Sequence, residues 1–147
     1  ASNNGTAGYW MGGNSSNVID KTTFSDGTLA TLAATLSTSM SHTTATSNSG
    51  TAAYRFGGLN PKDTMDKLTY ATETIGTTTF ASLPRYGDTG ASNSGTAAYF
   101  FGGYNAASSK QSTILKCPYA TDTLANLAAT MDRVRVYPAA YANCESL

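Results

Sequence analysis

The chain has 147 residues, one domain's length, and its nine basic and nine acidic residues cancel to a formal net charge of zero. That balance, with only 12% of residues charged, leaves no electrostatic footprint for nucleic acid or an anionic membrane surface. No apolar run approaches the roughly 20 residues of a membrane helix, and hydrophobic residues, 40% of the chain, recur in register and so argue against disorder despite 24 threonines.

The opening residues Ala1-Ser2-Asn3-Asn4 lack the basic and apolar regions of a signal peptide. They lead into Gly5-Thr6-Ala7-Gly8-Tyr9-Trp10-Met11-Gly12-Gly13, a pattern that returns as Gly50-Thr51-Ala52-Ala53-Tyr54-Arg55-Phe56-Gly57-Gly58 and as Gly95-Thr96-Ala97-Ala98-Tyr99-Phe100-Phe101-Gly102-Gly103. Tyr9, Tyr54 and Tyr99 are 45 residues apart, as are the glycine pairs. A fixed period of this size marks a repeat architecture. The units run roughly over 1–42, 43–87 and 88–132, with 133–147 left as a closing strand and tail.

Each unit divides into four strand-like pieces. In the middle one, Thr43-Thr44-Ala45-Thr46 precedes a hairpin turn at Asn48-Ser49-Gly50. Residues 51–56 follow, where Ala52, Tyr54 and Phe56 alternate with Thr51, Ala53 and Arg55, a period of two that predicts one more buried face. Gly57-Gly58 lets the backbone turn sharply. The third piece carries Met65, Leu68 and Tyr70; Val18 to Phe24 and Thr113 to Tyr119 match it in the other units. Asp26-Gly27-Thr28, Glu73-Thr74 and Asp122-Thr123 mark the turn after it, and Leu36, Leu83 and Met131 share one apolar position near the end. Residues 28–36 place leucines at helical spacing, and 123–130 nearly repeat them. Their counterpart at 74–80 has a glycine and three consecutive threonines, a poor helix, so all three are expected to be strands.

Residues that could carry chemistry are scattered. His42 is the single histidine and has no triad or metal-site neighbours, which predicts a structural or exposed role. Cys117 and Cys144 have neither metal nor redox spacing and are read as two thiols, with a disulfide as the alternative. The acids lie singly; Asp20 and Asp66 recur at one repeat position, which predicts a role inside every unit. The glycine pairs lack the Lys-Ser/Thr of a phosphate loop. No catalytic set, no metal site and no cofactor is expected. Tyr9, Tyr54 and Tyr99 are expected to pack in a core or interface.

A small-residue strand, a turn, an aromatic strand ending in Gly-Gly and an acidic-Thr turn together resemble Kelch-type β-propeller repeats. More narrowly, Tyr-x-x-Gly-Gly followed by an Ile/Met-Asp-Lys strand is similar to repeats in virion proteins of marine cyanophages. The Trp that Kelch repeats usually carry after the acidic turn is missing, so blade packing is expected to differ. The resemblance implies an all-β fold of three four-stranded antiparallel blades of about 45 residues each. Three blades are too few for an ordinary ring, which has roughly four to eight. It therefore also implies a homo-oligomer, most simply a dimer, with the piece from Arg133 completing the first unit. A threefold β-prism or β-trefoil in one chain is the alternative.

The resemblance further implies a non-enzymatic virion structural protein, capsid-decorating or part of a tail appendage, assembled in the host cytoplasm among other virion proteins. The runner-up is a lectin-like module for a cell-surface glycan, and a hydrolase on the same scaffold is more distant. Neither nucleic acid nor membrane insertion is expected. Loops after the glycine pair vary most, and the longest spans residues 104–112. Tyr104 and Asn105 there, with Arg85 and Tyr86 before the third unit, are the candidate contact residues for a glycan or protein partner.

Overall fold

Short runs of Thr, Ala and aromatic residues bounded by Gly, Asn and Ser fold as strands in the computed structural model, which describes residues 2–48, 50–58, 64–79, 89–93 and 95–136. Twelve strands and no helix occur among these residues. Sheet 1 contains β1 (Ser2–Asn3), β2 (Ala7–Gly13), β3 (Ser16–Thr23) and β4 (Leu29–Thr31). Sheet 2 contains β5 (Thr44–Asn48), β6 (Ala52–Phe56), β7 (Thr64–Thr69) and β8 (Thr74–Thr79). Sheet 3 contains β9 (Thr89–Asn93), β10 (Ala97–Phe101), β11 (Gln111–Pro118) and β12 (Ala125–Arg135). Each is an antiparallel meander with its strands in chain order.

The repeat is held in register to the residue. Tyr9 lies opposite Lys21, Tyr54 opposite Lys67 and Tyr99 opposite Lys116. Phe24, Tyr70 and Tyr119 each donate a backbone N–H to the carbonyl of Thr6, Thr51 and Thr96 respectively. All three glycine pairs have positive φ, which a side chain would resist.

Neither segment with helical leucine spacing is a helix: residues 125–130 lie in β12, whereas only Leu29–Thr31 of 28–36 is strand. In sheet 1 the strand is brief. After Thr31 the chain follows β3 less regularly, with the Leu32 and Leu36 N–H groups donating to the Ile19 and Asn17 carbonyls, and buries Leu36 against sheet 2. Residues 133–135 continue β12, with Arg135 opposite Gln111 in sheet 3, rather than opening a separate strand for the first unit. Sheet 1 has its own first strand, the two-residue β1. Residues 137–147, with Cys144, fall outside the described ones.

Two cores form, one at each junction. Ala7, Tyr9, Met11, Ile19 and Leu36 of the sheet 1 unit pack on Ala53, Leu68 and Tyr70 of sheet 2. The opposite side of sheet 2, with Ala52, Tyr54, Phe56 and Met65, packs on Ala98, Phe100, Leu115, Cys117, Tyr119 and Leu124. Sheet 2 therefore lies between its neighbours, and β6 is buried at all five positions. The expected division of β6 into a buried and a less buried face is corrected: alternation sorts its residues between two junctions. Among the described residues the clustered buried side chains fall into these two groups, one on each side of sheet 2.

Candidate functional site

Each sheet has a front, which meets the next sheet, and a back, which receives the previous one. The front of sheet 1 presents Tyr9 and Lys21, with the ammonium 6.0 Å from the ring centroid. Tyr9 stacks on Tyr70 of sheet 2 at 4.9 Å, its hydroxyl donates to Glu73 at 3.4 Å, and Lys21 pairs with the same carboxylate at 2.5 Å. The next junction repeats this chemistry. Tyr54 stacks on Tyr119 at 5.0 Å and donates to Asp122 at 2.9 Å, while Lys67 lies 5.4 Å from the Tyr54 ring and pairs with Asp122 at 2.6 Å. Phe56 meets Phe100 with centroids 5.0 Å apart. An aromatic ring thus excludes water beside a lysine, and an acid from the following sheet answers both the phenol and the ammonium.

Glu73 and Asp122 sit at φ +51° and +49°, and the structural equivalent in sheet 1 is Gly27 at +69°. Gly27 and Asp122 donate N–H to the carbonyls of Thr23 and Pro118 in matching fashion. The expected equivalence of Asp26 with Glu73 and Asp122 is therefore off by one. Asp26 instead accepts from the N–H and hydroxyl of Thr28, which hold its carboxyl below the usual carboxylate range.

Burial, and after it the Asp122 carboxylate, push the Tyr54 phenol far above its ordinary 10.0. A raised folded value means that the unfolded chain loses the proton first. This contribution to stability is complete below pH about 10 and falls as pH rises further. Tyr54→Phe is expected to cost about 1–2 kcal/mol at neutral pH. It should also flatten the loss of stability above pH about 10, read from urea midpoints across pH; equal slopes for the two proteins would contradict this account.

The back of sheet 2 carries a buried ion pair. Arg55 and Asp66, 1% and 0% exposed, meet at 2.7 Å. Arg55 also donates to the Thr38 carbonyl at 3.1 Å, and Asp66 accepts from the Ser37 N–H at 3.2 Å and the Thr77 hydroxyl at 2.7 Å. Together they fasten the segment after β4 to sheet 2. Desolvation lowers the Arg55 pKa, opposed by Asp66. Asp20 accepts in the same way from Thr31 of its own sheet, but the third unit has Leu115 at that position. The acid therefore serves two units and not all three.

Two faces are left open. The back of sheet 1 exposes Trp10 by 56%, Phe24 by 55% and Leu29 by 68%. The equivalents of Phe24, Tyr70 and Tyr119, are only 5% and 7% exposed. The front of sheet 3 presents half-buried Tyr99, Phe101, Ile114 and Lys116, and the Lys116 ammonium sits 5.8 Å from the Tyr99 ring. Among the described residues no acid pairs with Lys116.

Of the four candidate contact residues, the structure describes two; Arg85 and Tyr86 fall outside the described residues. Tyr104 and Asn105 share a tight loop closed by a bridge between Tyr104 and Lys110. The Asn105 carboxamide oxygen accepts from the N–H groups of Ala107 and Ser109, so it shapes its own loop. His42 lies at φ +57° beside Ser41, and Cys117 is buried against the Met65 sulfur, its thiol pushed up to about 12 by burial. No group of three or more His, Cys, Asp or Glu suited to a metal occurs among the described residues. Lys21, Lys67, Lys116 and Phe24 were not among the candidate contact residues, although a lysine three residues before an aromatic recurs in every unit. A scan of the chain against protein-family models finds no match, and neither does a search of curated proteins.

Proposed function

We propose that the three sheets act as propeller-type blades of a non-enzymatic virion structural protein, capsid-decorating or part of a tail appendage, which works as a homo-oligomer alongside other virion proteins. One observation carries this reading: the Lys21–Glu73 and Lys67–Asp122 ion pairs join sheet to sheet, while the buried Arg55–Asp66 pair inside sheet 2 ties down the segment after β4. A chain whose ionic groups serve stacking, and whose outer faces are built like its inner ones, is suited to assembly. The Tyr-x-x-Gly-Gly repeats supply the resemblance to virion proteins. Immunogold microscopy with antibody raised against the purified chain tests the reading on phage particles from the host that carries it. Label on intact particles is expected; label confined to the cell fraction would overturn it.

A further inference from the structure

We infer that the front of sheet 3 docks on the back of sheet 1 of a second copy of this chain, remaking between molecules the junction that joins its own sheets. The inference rests on the blade-stacking reading above and adds the surfaces and the partner.

The front of sheet 3 repeats, position for position, the fronts already covered inside the chain. Tyr99 stands where Tyr9 and Tyr54 stand, Phe101 where Met11 and Phe56 stand, Ile114 where Ile19 and Met65 stand, and Lys116 where Lys21 and Lys67 stand. Those equivalents, lysines apart, are all buried, whereas Tyr99, Phe101 and Ile114 remain half-buried. The face has the composition of a junction and no sheet upon it among the described residues.

The back of sheet 1 shows the complementary deficit. Phe24 occupies the position at which Tyr70 and Tyr119 receive a stacked tyrosine, and the shared N–H bond to Thr6, Thr51 or Thr96 places all three rings at one point of the repeat. Leu29 matches Leu124, which is 8% exposed under sheet 2, and Trp10 matches Phe100, which meets Phe56. Docked in the same register, Tyr99 stacks on Phe24, and Phe101 meets Trp10. Charge agrees as well: Lys116 approaches the turn that carries Asp26, one residue from the position held by Glu73 and Asp122 in the inner junctions. Each copy offers one front and one back. Of the closed rings that such copies can form head to tail, the one of two copies has six sheets and falls within the roughly four to eight blades of ordinary propellers, and its two identical junctions remove both open faces.

Sedimentation of the full chain at micromolar concentration tests the pairing. The wild type is expected to be a dimer. K116E and D26K alone are each expected to weaken self-association by about tenfold or more, because like charges then face each other at both junctions. Mixed in equal amounts, the two variants restore a dimer, since each junction of the mixed pair joins opposite charges. F24K, at a residue already exposed, is expected to give a folded monomer and separates loss of docking from loss of fold. A monomeric wild type, with its end faces open or covered by other residues of the chain, overturns the pairing, and so does a dimer indifferent to all three variants. Either result leaves the immunogold assignment standing, and unlabelled particles would refute the virion reading without dissolving the dimer.

Discussion

Arg55→Ala is expected to destabilise the fold by about 3–5 kcal/mol, the range for removing one partner of a buried ion pair. The substitution strands the Asp66 carboxylate, fully buried, with only the Ser37 N–H and Thr77 hydroxyl as donors. It also leaves the Thr38 carbonyl without the guanidinium. Asp66→Leu should cost a similar amount for the converse reason, an unanswered guanidinium. The third unit provides the informative control, since it has Phe100 and Leu115 at these two positions, both buried. Arg55→Phe combined with Asp66→Leu is therefore expected to recover more than half of the loss, because an apolar pair removes both desolvation costs together. Urea denaturation of Arg55→Phe, Asp66→Leu and the double variant measures the coupling. Additive losses would show that the pair is not the unit of stabilisation.

Phe56→Ala is the second large effect, about 3–5 kcal/mol, from lost transfer energy and the cavity left between sheets 2 and 3. Phe56 is fully buried and meets Phe100 across the junction. Phe101→Ala truncates the same ring at the equivalent position of the open front and should cost the isolated fold only about 1 kcal/mol. The difference between the two, measured by thermal or urea unfolding in the monomeric F24K background, reports which junction is closed within one chain. Equal losses would mean that Phe101 is covered intramolecularly.

The 45-residue step made the units legible, because Tyr9, Tyr54, Tyr99 and the glycine pairs keep their spacing through all three. Strand identity at β4, β8 and β12 was legible from the poorest helix former of the set, residues 74–80. The two-sided burial of sheet 2 was not. Alternation along β6 looks the same whether the second face meets solvent or another sheet, and Arg55 reads as exposed until Asp66 is placed opposite it. Phe24 was legible by position, as the last residue of the segment that matches those ending at Tyr70 and Tyr119, but the turn after it was not. Matching the turns by their acids aligns Asp26 with Glu73, whereas the backbone bonds align Gly27 with it, because the acid moved by one residue while the aromatic stayed. Function was the least legible part. The junction residues are common types whose meaning comes only from facing their counterparts, and they name no partner other than another such face.

Trp10 gives the most direct test that the outer faces are two halves of one more junction. It is the only tryptophan, and within one chain it is 56% exposed on the back of sheet 1. Its emission is followed through serial dilution of the wild type, with F24K as the undocked reference. The expected result is blue-shifted, quencher-protected emission at high concentration that moves to the red and becomes accessible to iodide on dilution, approaching the F24K spectrum. Emission that is water-exposed and unchanged at every concentration would contradict the account.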